Sequence, residues 1–492
     1  MGILLLYTLL PLISNSQTEN NNPIRLELES DKDWYDYSYL PVGQYGIVVI
    51  TREKLIHQDT ALWNFTLYDT NLLKIKQFNV KLLSSLLLAS SHFSGSGFYL
   101  LFQTSNTRKT TPRWFLIQEN LQVSPPQNLS FNPLEIFPEL NTVQQMSAVG
   151  SQLFLFSSEE ENNAICFYDA QTNKISHKEL LSNSYTESFI IDTSLQKIFI
   201  TINNYNKPIE RLNKGFLLFE SNFSGQNGTY TKFPEYDSYQ FKSARMAKTD
   251  SASYVIIGTY NNATEKKPSN LHSGVYTLTY KNGKMGYPNF FNYTSLKTKD
   301  TKELIKAQSN ALNLNLVIGD LYTNNHQYGF VTEVYYPEYS TTNYYAPGSY
   351  YVSTPVSTFE GYRFLNAYIT TFDKEGNLLW DNYMPINDML TQTLNSKVGL
   401  YLDEQNNGYI YYPNNSTITS TLVNSYTVIE PLMTEKLGTA HAKDIIEASG
   451  QVRVERWYGN NFLVTGYQVI KNPLYGKNGK RNIFFINRLQ YR

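Results

Sequence analysis

The chain has 492 residues and a formal net charge of −1, so it has no basic excess to neutralise nucleic-acid phosphates. This length exceeds what one ordinary compact core organises, and it predicts either two to four domains or a closed repeat architecture. Tyrosine occurs 40 times and phenylalanine 27 times, while charged residues make up only 17 %. Such a composition favours β structure.

The first predicted element is an apolar run at the N-terminus, Ile3 to Ile13, followed by small and polar residues. It is too short to cross a bilayer as a helix, which needs roughly 20 apolar residues. We interpret residues 1–16 as a secretory signal peptide, with cleavage between Ser16 and Gln17. The expected location is the periplasm, the outer membrane or the extracellular space. The alternative is a buried N-terminal strand.

Two further features of the first half are interpreted as buried parts of the fold without a catalytic role. The run from Leu82 to Ala89 is too short for a membrane span and is interpreted as one buried strand. The single cysteine, Cys166, excludes an internal disulfide and stands where an apolar strand residue is expected. We therefore predict a small buried thiol at Cys166 and no nucleophile.

A strand–Asp–turn–strand motif recurs along the chain. It is read in "TLYDTNLLKIKQFNV" (66–80), "CFYDAQTNKISHKEL" (166–180) and "TTFDKEGNLLWDN" (370–382). The aspartates are Asp69, Asp169 and Asp373, and each is expected to cap its turn by accepting hydrogen bonds from backbone N–H groups ahead of it. A variant at Asn282-Gly283 predicts a type I′ hairpin, since both central residues of that turn need positive φ.

The spacing of these turns is the main signal for the fold. They fall near residues 69, 118, 169, 220, 280 and 373, with weaker signals near 428 and 488. A repeat period of about 50 residues with several strands per unit is typical of a β-propeller. We therefore predict an all-β protein, a single β-propeller domain over residues 17–492 with about seven blades, six or eight being possible. The alternative is two stacked β-sandwich domains.

The two ends of the chain carry strand patterns as well. The last residues, "RNIFFINRLQYR", end in a strand, and "PIRLELES" (23–30) is an early one. We expect the two strands to lie side by side, so that the C-terminus completes a blade.

The repeat is interrupted at residues 332–368, which contain nine tyrosines and three prolines. The prolines predict a long loop or an irregular hairpin inserted into a blade at about 338–360. Tyrosine suits contact surfaces and stacking on sugar rings. The candidate binding residues are Tyr335, Tyr336, Tyr339, Tyr344, Tyr345, Tyr350 and Tyr351. The alternative is a loop folded over the rim, with its tyrosines packed on the blade below.

No catalytic, metal or cofactor motif is readable in the sequence. The six histidines have no metal-ligand spacing, and neither a nucleophile elbow nor a phosphate-binding or dinucleotide motif occurs. Carboxylate pairs for glycoside hydrolysis would come from different blades, so spacing does not reveal them. Glu333, Glu338 and Asp320 are conceivable acids, with surface carboxylates as the default interpretation.

With the repeat and the Tyr-rich segment identified, the chain resembles a group of uncharacterised exported proteins of Bacteroidetes-type bacteria. The stretches that carry the resemblance are "ALWNFTLYDTNLLKI", "VTEVYYPEY", "TTFDKEGNLLWDN", "VERWYGNNFLVTGYQVIKN" and "RNIFFINRLQYR". The resemblance implies an envelope or secreted propeller-like protein. Asp373 to Trp380 is also similar to the hairpin of quinoprotein propellers, but the tryptophan occurs in one copy only, and no cofactor is predicted.

The function expected from the sequence is non-catalytic. We expect a binding or scaffold protein of the bacterial cell envelope that contacts proteins or glycans through its rims and the Tyr-rich loop. It would act as a monomer or as part of a larger complex. The alternatives are a carbohydrate-active, glycosidase-like propeller enzyme and an accessory component of a secretion or surface-motility assembly.

Overall fold

The computed structural model describes residues 24–30, 37–54, 59–95, 97–104, 114–120, 134–136, 143, 145–158, 163–169, 171–172, 174–182, 184–205, 213–250, 252–263, 272–296, 314–345, 353–441, 443–475 and 479–490. The predicted signal peptide lies outside these residues. Within them the regular structure is strand, apart from 3-10 turns at Gly43–Tyr45, Tyr293–Ser295 and Pro473–Tyr475. No helix in this part of the chain has the length and hydrophobicity needed to cross a membrane.

The strands are short and follow one another with little else between them. In chain order they are β1 (Ile24–Glu29), β2 (Tyr37–Pro41), β3 (Ile47–Lys54), β4 (Thr60–Tyr68), β5 (Lys74–Leu83), β6 (Leu86–Phe93), β7 (Gly97–Thr104), β8 (Trp114–Asn120), β9 (Leu134–Ile136), β10 (Gln145–Val149), β11 (Gln152–Ser158), β12 (Asn163–Asp169), β13 (Lys174–Glu179), β14 (Ser184–Asp192), β15 (Lys197–Tyr205), β16 (Asn213–Asn222), β17 (Thr229–Lys232), β18 (Tyr239–Phe241), β19 (Arg245–Asp250), β20 (Ser253–Asn262), β21 (Gly274–Lys281), β22 (Lys284–Met285), β23 (Asn289–Asn292), β24 (Asn315–Thr323), β25 (Tyr328–Tyr345), β26 (Ser353–Phe372), β27 (Leu378–Thr391), β28 (Gly399–Leu402), β29 (Asn407–Asn414), β30 (Thr417–Asn424), β31 (Thr427–Lys436), β32 (Ile445–Arg456), β33 (Asn461–Lys471) and β34 (Lys480–Gln490).

These strands form eight antiparallel sheets among the described residues, each built from consecutive strands except at the chain ends. Blades 1 to 4 are β2–β5, β6–β9, β10–β13 and β14–β17, blade 5 is β18–β23, and blades 6 and 7 are β24–β27 and β28–β31. Blade 8 has the order β1-β34-β33-β32, so its fourth strand comes from the start of the chain. The predicted β-propeller is confirmed.

Hydrophobic side chains fill the space between each blade and the next all around the ring, as far as the chain is described. Trp63 of blade 1 meets Phe102 of blade 2 edge to face, with ring centroids 4.9 Å apart. The ring closes where Tyr37 of blade 1 stacks on Phe484 of blade 8 at 5.1 Å. Each blade therefore buries both of its faces, which a small sheet cannot do alone.

First strands of neighbouring blades contact one another, so these strands lie nearest the axis of the ring. We call the end at which each first strand begins the upper face. Because the sheets are antiparallel, the connections between second and third strands also lie at the upper face. The turns between first and second and between third and fourth strands lie at the opposite, lower face.

Seven of the eight turn positions read from the sequence fall at the end of a third strand, on the lower face, and the one near residue 428 falls just after such a turn, at the start of β31. Our count of seven blades is one short, within the predicted range of six to eight. The signal near residue 488 has no fourth strand after it, because β1 takes that place and pairs with β34 from Ile24↔Arg488 to Glu29↔Ile483. The expected pairing of the two chain ends is thus confirmed.

Local predictions at the turns are also confirmed. The Asp373 carboxylate accepts hydrogen bonds from the backbone N–H groups of Glu375 and Asn377 at 3.0 and 2.8 Å. Asp69 and Asp169 accept bonds from backbone N–H groups in the same way, and Asn282 and Gly283 have φ of 50° and 78°.

The run from Leu82 to Ala89 is not one strand. It ends β5, turns at Ser84–Ser85 and begins β6, so the prediction of a single buried strand is wrong. Two serines within an apolar run mark a turn between blades here, because each apolar half belongs to a different sheet.

A buried polar cluster fixes the closing strand β1. The Arg25 side chain is only 1 % exposed. Its guanidinium donates to Glu27 Oε1 at 2.7 Å, to Asn487 Oδ1 at 2.9 Å and to Gln468 Oε1 at 2.8 Å, and it also donates to the carbonyl of Gly438 at 2.9 Å. These bonds join β1 to both central strands of blade 8 and to the segment that follows blade 7.

We expect Arg25→Met to lower the free energy of unfolding by about 3 kcal/mol, because it removes one of the donors to the buried Glu27 carboxylate and the guanidinium that donates to the amide oxygens of Asn487 and Gln468. Urea unfolding followed by tryptophan fluorescence measures the loss. Lys74→Met, at an exposed position on β5, serves as the control and should stay within about 0.5 kcal/mol of the parent. An unchanged midpoint for Arg25→Met would show that the cluster does not hold the closing strand.

Candidate functional site

The Tyr-rich segment forms a hairpin that extends beyond blade 6. Strand β24 pairs with β25 only as far as Tyr335, and β27 pairs with β26 only as far as Tyr362. Residues 338–345 and 353–361 therefore pair only with each other. We call this two-stranded extension the ribbon. At about 3.3 Å per residue it is about 26 Å long.

Of the two predicted forms of this segment, a long loop and an irregular hairpin, the structure shows the irregular hairpin. The irregularities are two bulges on the β26 side, opposite Val334/Tyr335 and Glu338/Tyr339. Pro337 pairs in register with Tyr362. Proline is compatible with this position because the other edge of the strand is open and needs no N–H donor.

One face of the hairpin carries a row of aromatic rings. Tyr339 meets Phe359 at 5.5 Å between ring centroids, Phe359 meets Tyr362 at 5.0 Å, and Tyr362 meets Tyr335 at 5.6 Å. Tyr335 in turn lies 5.9 Å from Phe364, which is buried between blades 6 and 7. We call Tyr339, Phe359, Tyr362 and Tyr335 the aromatic strip.

The exposure of the strip increases with distance from the ring. Tyr335 and Tyr362 are half-buried, whereas Phe359 and Tyr339 are 38 % and 58 % exposed. Edge-to-face contacts between the rings add to their packing. The strip is thus anchored at its base and offers aromatic surface to solvent at its far end.

The other face of the ribbon is polar. Glu338 and Arg363 form a two-point ion pair, with Nη2 to Oε1 at 3.0 Å and Nε to Oε2 as the second contact. The hydrogen bond from Arg363 lowers the pKa of Glu338. The hydroxyl of Ser340 donates to Glu360 Oε1 at 2.5 Å. These contacts cross the two strands and hold their register.

Of the seven tyrosines proposed from the sequence, the structure describes the side chains of Tyr335, Tyr336 and Tyr339. Tyr335 and Tyr336 pack against the clusters on the two sides of blade 6, and burial raises the pKa of Tyr335. Tyr339 is exposed on the ribbon. Tyr344 and Tyr345 are the last two residues of β25, and Tyr350 and Tyr351 lie outside the described residues.

Phe359 and Tyr362 were not among the proposed residues. Both lie on the returning strand β26, downstream of the tyrosine pairs that mark the segment in the sequence. A signal was nevertheless present, because once 335–345 and 353–364 are paired as a hairpin, Phe359 lies opposite Tyr339 and Tyr362 opposite Pro337.

The three conceivable acids lie in different settings. Asp320 is exposed on β24, and Glu338 belongs to the ribbon ion pair. Glu333 is fully buried on β25 and accepts hydrogen bonds from the backbone N–H of Lys397 at 2.9 Å, the backbone N–H of Val398 at 3.1 Å and the hydroxyl of Ser396 at 2.5 Å.

The contacts of Glu333 fix the chain where it enters blade 7. Burial raises the pKa of Glu333 to about 7, although the Ser396 hydroxyl, the two backbone N–H groups and the Lys397 charge favour the ionised form. All of its observed partners belong to the protein itself, so the carboxylate joins blades 6 and 7.

Cys166 is fully buried in the core between blades 2 and 3, as predicted. No group of three or more histidine, cysteine, aspartate or glutamate side chains in the described part of the chain is placed to hold a metal ion.

No protein-family model and no curated protein sequence matches the chain. Among solved structures it is similar to the polysaccharide lyase Uly1, with a TM-score of 0.39 and 10 % identity over 95 % of this chain and 94 % of that one. It is also similar to the Dos1 propeller, with a TM-score of 0.39 and 10 % identity over 82 % and 92 % of the two chains.

A third similar structure is apo AztD from Citrobacter koseri, with a TM-score of 0.36 and 10 % identity over 87 % and 96 % of the two chains. At these scores the similarities assign neither a substrate nor a partner to this chain.

We expect Glu333→Gln to remove part of the pH dependence of stability. The folded pKa of about 7 lies above the unfolded value of about 4.3, so the folded state binds more protons between these values and stability falls as pH rises. This single group accounts for a fall of about 3 kcal/mol between pH 4.5 and 7.5.

Urea unfolding at several pH values measures the difference between Glu333→Gln and the parent. Glu338→Gln is the control, because its carboxylate has a lowered pKa and its removal leaves the fall in place. Parallel pH profiles for the parent and Glu333→Gln would contradict the prediction.

Proposed function

We propose that this protein is a non-catalytic binding or scaffold protein of the bacterial cell envelope, and that it contacts a protein or glycan partner through the ribbon of blade 6. The exposed end of the aromatic strip carries the proposal. Tyr339 and Phe359 stand in mutual contact on a two-stranded extension that the fold of blade 6 does not require.

Several physical features of the strip suit recognition. Aromatic side chains supply a large contact area at a low cost in conformational entropy and are enriched at binding sites. The rings are held by the cross-strand contacts and by packing at the base, so less freedom is lost when a partner binds. The separate polar face limits the apolar surface exposed to solvent.

Placement in the envelope rests on the sequence. The apolar N-terminal run and the resemblance to exported bacterial proteins support export. The closed ring supports a scaffold role, because a rigid frame holds an extension in a constant orientation. The buried carboxylates of Glu187 and Glu333 are engaged in contacts within the fold, with Arg245 and with Ser396.

Site-specific photo-crosslinking tests the proposal. A photoreactive benzoylphenylalanine replaces Ser357, which is exposed on the same face of the ribbon as Phe359, in otherwise native protein, and replaces Leu73, which is 65 % exposed at the lower face, in the control. After irradiation with envelope proteins and with purified envelope polysaccharide, we expect a defined adduct from position 357 and none from position 73.

Competition makes this test specific for the strip. Excess native protein should abolish the adduct, whereas Tyr339→Ser/Phe359→Ser should compete at least tenfold less well, since truncating central aromatic anchors costs 2 kcal/mol or more. Ser340→Ala, on the polar face, should compete like the native protein. Equal competition by the double variant would exclude the strip as the binding surface.

A further inference from the structure

The angles between the rings of the aromatic strip bear on the kind of partner that it fits. The rings of Tyr339 and Phe359 are inclined at 62°, those of Phe359 and Tyr362 at 67°, and those of Tyr362 and Tyr335 at 81°. A glycan chain stacks along a row of rings only where successive rings lie flat, because each sugar needs the face of a ring beneath it. Rings inclined in this way form clefts that fit single apolar side chains. The strip therefore suits a polypeptide better than a glycan chain.

The strip is too small to hold a folded domain by itself. The face of the ribbon is about 26 Å long and about 10 Å wide, which gives about 260 Å². A stable interface between two folded proteins buries about 800 Å² on each partner. A partner at this face therefore needs further contacts along the ribbon, and a narrow, extended segment gains them from a strand edge.

The outer edge of β26 offers backbone groups for such contacts. Pro355 pairs with Asn343, and the pairing from Ser353 to Phe359 has no bulge. Proline has no N–H, so position 355 does not donate to Asn343 and its backbone nitrogen faces the outer edge. Because hydrogen-bonding directions alternate along an antiparallel strand, the N–H groups of Ser357 and Phe359 face the same edge.

This edge is accessible beyond the end of β27. All five residues from Val356 to Glu360 are exposed. The side-chain amide of Gln392, just after β27, donates to the carbonyl of Glu360 at 2.6 Å. Beyond that contact, no described residue pairs with β26 along this edge. The edge is thus free for a further strand among the residues that the structure describes.

The ribbon also carries a negative charge that its own residues do not balance. Residues 338–360 include Glu338 and Glu360 and contain no lysine, arginine or histidine. Arg363 pairs with Glu338, whereas Glu360 accepts a hydrogen bond from the uncharged hydroxyl of Ser340. A second copy of the ribbon would bring no cation to Glu360, but a segment that contains lysine or arginine would.

We propose that the ribbon binds an extended, basic polypeptide segment, which adds to the outer edge of β26 as a third strand. This inference rests on the proposed function and names the chemistry of its partner. The backbone of the segment bonds to Ser357 and Phe359. Apolar side chains on one face of the segment enter the clefts of the aromatic strip, and a basic side chain on the other face meets Glu360.

Peptide selection on the full native chain tests the proposal. A display library of random peptides about eight residues long, which span about 26 Å when extended, is selected on the native protein, and Tyr339→Ser/Phe359→Ser serves for counter-selection. We expect enriched peptides in which apolar residues alternate with polar ones and in which lysine or arginine recurs at the polar positions. Enriched peptides without alternation, or no enrichment over the double variant, would overturn the proposal.

Two changes to the backbone separate strand addition from apolar contact alone, with fluorescence anisotropy of a labelled selected peptide as the measurement. Ser357→Pro removes an N–H at the outer edge, as Pro355 already does, and should weaken binding about tenfold because a peptide carbonyl loses its donor. Ser357→Ala keeps that N–H and should bind like the parent. Equal binding by the two variants would contradict strand addition.

Methylation of the peptide's own backbone nitrogens gives the same test on unaltered protein. In an added strand, every second N–H faces the ribbon. Methylating one alternating set of nitrogens should therefore abolish binding, and methylating the other set should leave it. Equal effects of the two sets would exclude a strand at this edge.

Photo-crosslinking from position 357 distinguishes this inference from the proposed function. An adduct with polysaccharide alone would leave the proposed function standing and overturn the assignment to a polypeptide. A dimer of the chain that Ser357→Pro dissociates would assign the edge to a second copy and would overturn it as well. The absence of any adduct would remove the proposed function and this inference with it.

Discussion

The pairing of the first strand with the last is the contact on which the rest of the structure depends. A ring of eight small sheets buries every blade face only if blade 8 is complete, and its fourth strand is β1. Arg25 and its partner Asn487 are separated by 462 positions in the sequence. Such non-local pairing is slow to form because the chain between the ends must be ordered first. The buried polar cluster around Arg25 allows this pairing in one register, since a shift by one residue would leave the guanidinium without its acceptors.

Closure also limits where the fold can vary. First strands lie against their neighbours near the axis, whereas the connection between second and third strands at the upper face can lengthen without disturbing those contacts. The ribbon is such a lengthening, made by β25 and β26 beyond the ends of β24 and β27. Blade 5 varies differently, through a break in its first strand that Gly258 makes room for. Both variations lie at the upper face, where the connections between second and third strands are found.

The parts of this structure that the sequence predicts are local. Asp69, Asp169 and Asp373 cap turns because an aspartate reaches backbone N–H groups a few residues ahead. The blade count is one short because the eighth turn signal lies at the chain end, without the strand that normally follows it. Other contacts depend on the register of whole strands and cannot be predicted from the spacing of residues in the sequence. Examples are the contact of Glu333 with Ser396 and that of Lys242 with Thr259. The ribbon is an intermediate case, because the tyrosines are visible in the sequence but their partner Phe359 emerges only from the hairpin pairing.

The base of the ribbon explains how a two-stranded element keeps a defined direction. An isolated hairpin in water is only marginally stable. Here Tyr335 and Phe364 continue the aromatic strip into the core between blades 6 and 7, and the Glu338–Arg363 ion pair joins the two strands on the opposite face. Bending the ribbon at its base would therefore separate packed rings on one side or the ion pair on the other. Contacts with the closed propeller thus hold the ribbon in one orientation. The exposed side chains of Tyr339 and Phe359 are therefore held in a defined orientation as well.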